Sequence, residues 1–91
     1  MKEFETVEEA IEAGEKALTM LSLIIKKKPI PPKLEEEVDD TFPGASIHWI
    51  DMKQTGRAQL FGRLTKIVRS LKEGTFKREK NEFYYKPFLK T

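Results

Sequence analysis

Apolar residues recur at helical spacing in two separate parts of the chain. The first part predicts a helix from about residue 6 to residue 28, since Thr6 and Glu9 match the capping-box pattern and Pro29 follows its end. Its glutamates and Lys16 lie opposite an apolar stripe, so we expect one face to be buried. The stripe comprises Val7, Ile11, Gly14, Leu18, Leu21 and Ile25.

The C-terminal half of this first helix carries more apolar surface than one stripe provides. Met20, Leu23 and Ile24 widen the apolar face, which therefore needs a cover from this chain or from a second subunit. The helix also has a flank of small residues, which either lets another helix approach closely or reflects the high helix propensity of alanine. This flank consists of Ala10, Ala13, Gly14 and Ala17.

The second part predicts a helix from Thr55, as its N-cap, to about Glu73, with Gly74 at the left-handed position that ends many helices. One side of this helix is apolar and the opposite side is basic. The apolar residues are Leu60, Phe61, Leu64, Ile67, Val68 and Leu71, and the cations are Arg63, Lys66, Arg69 and Lys72.

Two shorter segments lie between these helices. Residues 28–44 hold four of the five prolines and an acidic run from Glu35 to Asp40, and the spacing of Leu34 and Val38 favours a short helix with one inward face. Residues 46–52 fit a strand and a short helix equally well, with Trp49 as a core anchor.

The residues after Gly74 predict a β-hairpin. Residues 75–78 and 82–86 are β-prone and aromatic, and Lys80 and Asn81 lie near the turn between them. We therefore expect a helix-dominated α+β fold: a long N-terminal helix, a short central segment, a second long amphipathic helix and a C-terminal hairpin. Residues 1–91 are expected to form a single small domain, because no segment holds enough apolar residues for a second core.

Charge is divided unevenly along the chain. Residues 46–91 contain 11 Lys+Arg against 4 Asp+Glu, whereas residues 1–45 contain 6 against 11, although the whole chain is only +2. This asymmetry favours an anionic partner, with DNA ahead of RNA, because cations in one tract neutralise phosphates and arginine reads guanine edges. The ordinary solvated side of an amphipathic helix would show the same pattern. The predicted nucleic-acid-binding residues are Arg57, Arg63, Lys66, Arg69, Lys72, Lys77, Arg78 and Lys80.

A helix ending in Leu71-Lys72-Glu73-Gly74, followed by the runs 76–78 and 83–86, resembles the recognition helix and wing of the winged helix-turn-helix superfamily. The resemblance covers about residues 46–86. It implies a recognition helix in the DNA major groove, a wing on the nearby backbone, and a role in transcription regulation.

The chain offers little for catalysis. It has no cysteine and one histidine, its serines match no nucleophile pattern, and its glycines form no phosphate-binding loop. His48 and Asp51 are three residues apart but lack a third metal ligand. We therefore expect no enzyme activity, no cofactor and no metal. The lack of cysteine fits the cytoplasm. The apolar stretch 18–25 is too short to span a membrane, so we expect no membrane among the partners.

The alternative is a protein-interaction module, such as an adaptor or inhibitor of the kind that phages encode against host proteins. Its contact surface would be Met20, Leu23 and Ile24, and a homodimer is one form that it would take. A further hypothesis places the acidic run against the basic helix, where it would lower nonspecific binding until it is displaced.

Overall fold

The computed structural model describes residues 4–75, which form four α-helices and no strand. The helices are α1 (Val7–Ile25), α2 (Pro32–Thr41), α3 (Ala45–Asp51) and α4 (Gln54–Glu73). The expected α+β class is therefore wrong for this part of the chain, which is entirely α. The hairpin expected after Gly74 lies outside the described residues.

The central segment is helical because its inward residues follow helical spacing. Ala45, Ser46 and Trp49 are buried and Met52 is half-buried, whereas a strand would have alternated inward and outward positions. The indole of Trp49 packs at a tilt against Phe42, with 6.1 Å between the ring centroids. The prediction of Trp49 as a core anchor is confirmed.

Local signals set the ends of α1. The Thr6 hydroxyl oxygen accepts a hydrogen bond from the Glu9 amide at 3.1 Å, as the capping pattern predicted. At the other end, the Lys28 amide donates to the Leu23 carbonyl at 2.9 Å and the Lys27 amide donates to the Ile24 carbonyl at 3.1 Å. This is a Schellman motif, in which Lys27 takes the left-handed conformation at φ 58°.

The buried face of α1 is rotated from the stripe that the sequence predicted. Val7 is 39% exposed, and Ile11, Leu18 and Ile25 are only partly buried. Of the small residues, Ala10, Gly14 and Ala17 are buried and Ala13 is half-buried. The buried residues are Ala10, Gly14, Ala17, Met20, Leu21 and Ile24.

A side chain from α2 holds the beginning of α3. The Asp39 carboxylate accepts hydrogen bonds from the Ser46 amide at 2.8 Å and from the Ser46 hydroxyl at 2.7 Å. Since the first turn of a helix has unsatisfied amides, Asp39 acts as a cap supplied from outside the helix. The predicted short helix with Leu34 and Val38 inward is confirmed, because Val38 is buried and Leu34 is half-buried.

The longest helix, α4, packs mainly on α1 and runs antiparallel to it. Gln54 donates a hydrogen bond to the carbonyl of Ile25 at 3.2 Å, which brings the start of α4 to the end of α1. α4 begins at Gln54, with Lys53 rather than the predicted Thr55 as its N-cap. Gly74 ends it at φ 72°, as predicted. Its buried residues are Leu60, Leu64, Ile67, Val68 and Leu71.

Within residues 4–75, no helix combines the length and the apolar composition that crossing a membrane requires.

Candidate nucleic-acid interface

The outward side of α4 carries a group of exposed cations. Arg63, Lys66 and Arg69 follow one another at intervals of three residues, and all three are exposed. They span about 9 Å along the helix axis, at 1.5 Å per residue. Because the opposite side of α4 packs on α1, these cations point away from the core. We call these three residues the basic face.

Lys72 extends the basic face and pairs with a carboxylate of α1. Its Nζ lies 3.5 Å from Oε2 of Glu15 on α1, and both side chains are about half exposed. An exposed pair of this kind contributes at most about 1 kcal/mol, so a phosphate can compete for the lysine.

Arg57 does not belong to the basic face. Its Nε donates to the Trp49 carbonyl at 2.9 Å, its Nη2 donates to the Ile50 carbonyl, and its Nη1 donates to Oε1 of Gln54 at 2.9 Å. The last carbonyls of a helix have no partner within that helix, so Arg57 satisfies the C-terminus of α3. These contacts give Arg57 a structural role at the junction of α3 and α4, and its binding to nucleic acid stays a prediction.

Sequence reasoning missed this role because it assigned Arg57 by charge alone. One signal was available: if residues 46–52 are helical, their terminal carbonyls need donors, and no glycine directly follows to supply a C-terminal motif. The other predicted cations, Lys77, Arg78 and Lys80, lie outside the residues that the structure describes.

The acidic residues of α2 engage α1 and α3. Oε2 of Glu37 lies 2.6 Å from Nζ of Lys16, which also lies 3.0 Å from Oε1 of Glu12. These hydrogen bonds, that to Glu37 first, raise the pKa of Lys16 above its ordinary value, because both stabilise the ammonium form. With Asp39 bound to Ser46, the observed contacts give no support to an acidic run that covers the basic face.

An acidic cleft lies between α1 and α2. It has a volume of about 340 Å³, and its ionisable lining consists of Glu9, Glu12, Lys16, Glu37 and Asp40. No group of three or more potential metal ligands occurs among residues 4–75. His48 and Asp51 are both exposed on α3.

The surface predicted for a protein partner is largely internal. Met20 and Ile24 are buried by this chain and Leu23 is half-buried, so the folded monomer does not present these residues together. Within residues 4–75, the two most exposed large apolar side chains lie elsewhere. Ile47 is 77% exposed and Ile50 is 55% exposed, both on α3. Neither residue stands out in the sequence, because residues 46–52 fit a strand as well as a helix and Ile47 would share the side of Trp49 in a strand.

Comparison of the chain with protein-family models, with curated proteins and with solved structures finds no match.

Proposed function

We propose that this protein is a non-enzymatic DNA-binding module that contacts the duplex with the outward side of α4. The observation that carries the proposal is the basic face, with Arg63, Lys66 and Arg69 exposed together on the side opposite the core. A rigid helix packed along its other side holds these cations at a fixed spacing, so little ordering is needed when they meet phosphates.

The strength expected of this contact follows from counterion release. In a plot of the logarithm of the association constant K against the logarithm of the salt concentration, each neutralised phosphate contributes about −0.9 to the slope. The basic face and Lys72 together supply four cations. Affinity should therefore be moderate and strongly dependent on salt.

The N-terminal half of the outward side suits close approach to a groove. Ala58 and Gly62 are exposed, small and one turn apart, and the exposed amide of Gln59 lies beside them. A Cβ built on Gly62 meets nothing within 4 Å, so packing within the chain does not require glycine there. Glutamine amides pair with adenine in the major groove, which gives Gln59 a role in sequence readout.

Regulation of transcription in the cytoplasm is the setting that this proposal favours. Its support is the absence of cysteine from the whole sequence and the winged helix-turn-helix resemblance of residues 46–86, in which α4 corresponds to the recognition helix.

Charge reversal on the basic face tests the proposal. The double substitution Lys66→Glu plus Arg69→Glu should lower affinity for duplex DNA by at least about tenfold, since it removes two phosphate contacts and adds repulsion. Fluorescence anisotropy with a labelled duplex measures this loss. The control variant is Glu35→Lys plus Glu36→Lys on α2, which changes the net charge by the same amount in the opposite direction. It tests whether positive charge added away from the basic face changes affinity for DNA. Equal affinity of the wild type and the Lys66/Arg69 variant would refute the proposal.

A further inference from the structure

A groove separate from the basic face lies where the end of α1, the connector at residues 28–31 and α3 meet. Its volume is about 390 Å³. Ile24, Ile30 and Ile50 form its apolar part, and Lys27 and Lys28 line it from the end of α1. We call this feature the isoleucine groove.

The exposed face of α3 continues the apolar surface of the groove. Ile50 lines the groove and is 55% exposed, and Ile47 lies one turn before it and is 77% exposed. The opposite side of α3 already supplies Trp49 to the core, so folding does not require isoleucine at either outward position. Large apolar residues grouped on a surface beside a groove are typical of a protein-binding site.

Lys27 provides an independent indication that the groove has a function. It occupies the left-handed position of the Schellman motif that ends α1, at φ 58°. α4 ends in the same motif with Gly74 at the equivalent position, at φ 72°. Glycine adopts this conformation without the steric cost that a Cβ brings, so Lys27 places a cation beside the groove at a cost in stability. Residues held in disfavoured conformations are concentrated at ligand-binding sites.

We propose that the isoleucine groove and Ile47 bind an acidic amphipathic helix of a partner protein. Apolar side chains on one side of that helix would pack on the isoleucines, as in helix-in-groove recognition. Carboxylates on its flank would meet Lys27 and Lys28, which outnumber the single groove carboxylate, Glu35. Charge complementarity of this kind sets the orientation and the specificity of such a complex.

A second copy of this chain fits the site less well. Its acidic helix, α2, turns Val38 into the core and half-buries Leu34, so its exposed side offers carboxylates without large apolar residues. A separate protein with both features on one helix matches the groove better. This inference does not depend on DNA binding, because the basic face lies on α4.

The probe for this proposal is a designed helical peptide of roughly 14 residues, with leucines on one side and glutamates on both flanks. A matched peptide carries lysines in place of the glutamates. Calorimetric titration into the full chain should show binding of the acidic peptide and at least about tenfold weaker binding of the basic peptide. No binding of the acidic peptide at millimolar concentration, or equal binding of both peptides, would overturn the proposal.

Variants locate the binding site. Ile47→Ser plus Ile50→Ser changes exposed side chains and should weaken binding of the acidic peptide about tenfold, with the fold intact by circular dichroism. Lys27→Gly should weaken binding about threefold while it raises the melting temperature by about 4–8 °C, because glycine relieves the backbone cost and the charge is lost. A structural role for Lys27 alone would change the melting temperature and leave peptide affinity unchanged, which would contradict its assigned role.

Sedimentation of the wild type and the Ile47/Ile50 variant tests whether a second copy of this chain occupies the isoleucine groove. If the wild type is a dimer that the double substitution dissociates, a second copy covers the groove and the proposal is wrong. A monomer in both cases agrees with a separate partner.

Discussion

The guanidinium Nε of Arg57 lies 2.9 Å from the carbonyl oxygen of Trp49, and this hydrogen bond joins the first turn of α4 to the last turn of α3. The indole of Trp49 is fully buried, so the same residue anchors α3 in the core and accepts a donor from α4. Arg57 thereby connects the two helices across a link of only two residues, Met52 and Lys53.

Arg57→Ala should lower the free energy of unfolding by about 1.5–3 kcal/mol, because it removes charged hydrogen bonds to carbonyls at the end of α3. Lys66→Ala, an exposed change on the same helix, should stay within about 0.5 kcal/mol of the wild type. Urea denaturation measures both effects. Folded Arg57→Ala protein should keep its affinity for DNA. A loss of affinity comparable to that of Lys66→Ala would show that Arg57 also contacts DNA.

Asp39→Ala should lower the free energy of unfolding by about 1–2 kcal/mol, since the buried hydroxyl and the amide of Ser46 lose their acceptor. Asp40→Ala is the matched control, because its side chain is exposed and lies next to Asp39 in sequence. A double-mutant cycle with Ser46→Ala should give a coupling energy of about 0.5–1.5 kcal/mol. Additive effects would mean that the hydrogen bond from the Ser46 hydroxyl contributes nothing to stability, since Ser46→Ala keeps the amide that also donates to Asp39.

Gly62→Ala should raise the free energy of unfolding by about 0.5–1 kcal/mol, because a Cβ meets open space there and alanine favours the helix. Gly74→Ala should act in the opposite direction, since Gly74 has φ 72°. Thermal unfolding followed by circular dichroism compares the two. If Gly62 contacts DNA closely, Gly62→Ala should also weaken DNA binding, so that stability and affinity change in opposite directions.

Local signals were sufficient to predict α1, α2 and α4. The Thr6 cap, the α4 end at Gly74 and the spacing of Leu34 and Val38 are all properties of neighbouring residues, and the structure contains each of them. Residues 46–52 were ambiguous because seven residues fit both periodicities. Contacts with Phe42 and Asp39, which no local pattern shows, accompany the helical form.

The details of the candidate site depended on which side of each helix faces inward. Charge alone grouped Arg57 with Lys66 and Arg69, although its neighbours in space are the carbonyls of α3. Hydrophobicity alone assigned Met20 to a partner surface, although the core needs it. The outward positions of Ile47 and Ile50 follow from the burial of Trp49 on a helix, and the sequence left the choice between helix and strand open for this segment.

The dependence of DNA affinity on salt tests the central claim most directly. If the basic face and Lys72 each neutralise one phosphate, log K against log salt between about 50 and 200 mM should have a slope near −3 to −4. Lys66→Ala should make that slope shallower by about 1. No binding at the lowest salt concentration, or a slope that Lys66→Ala leaves unchanged, would contradict the assignment of the outward side of α4 as a DNA-binding surface.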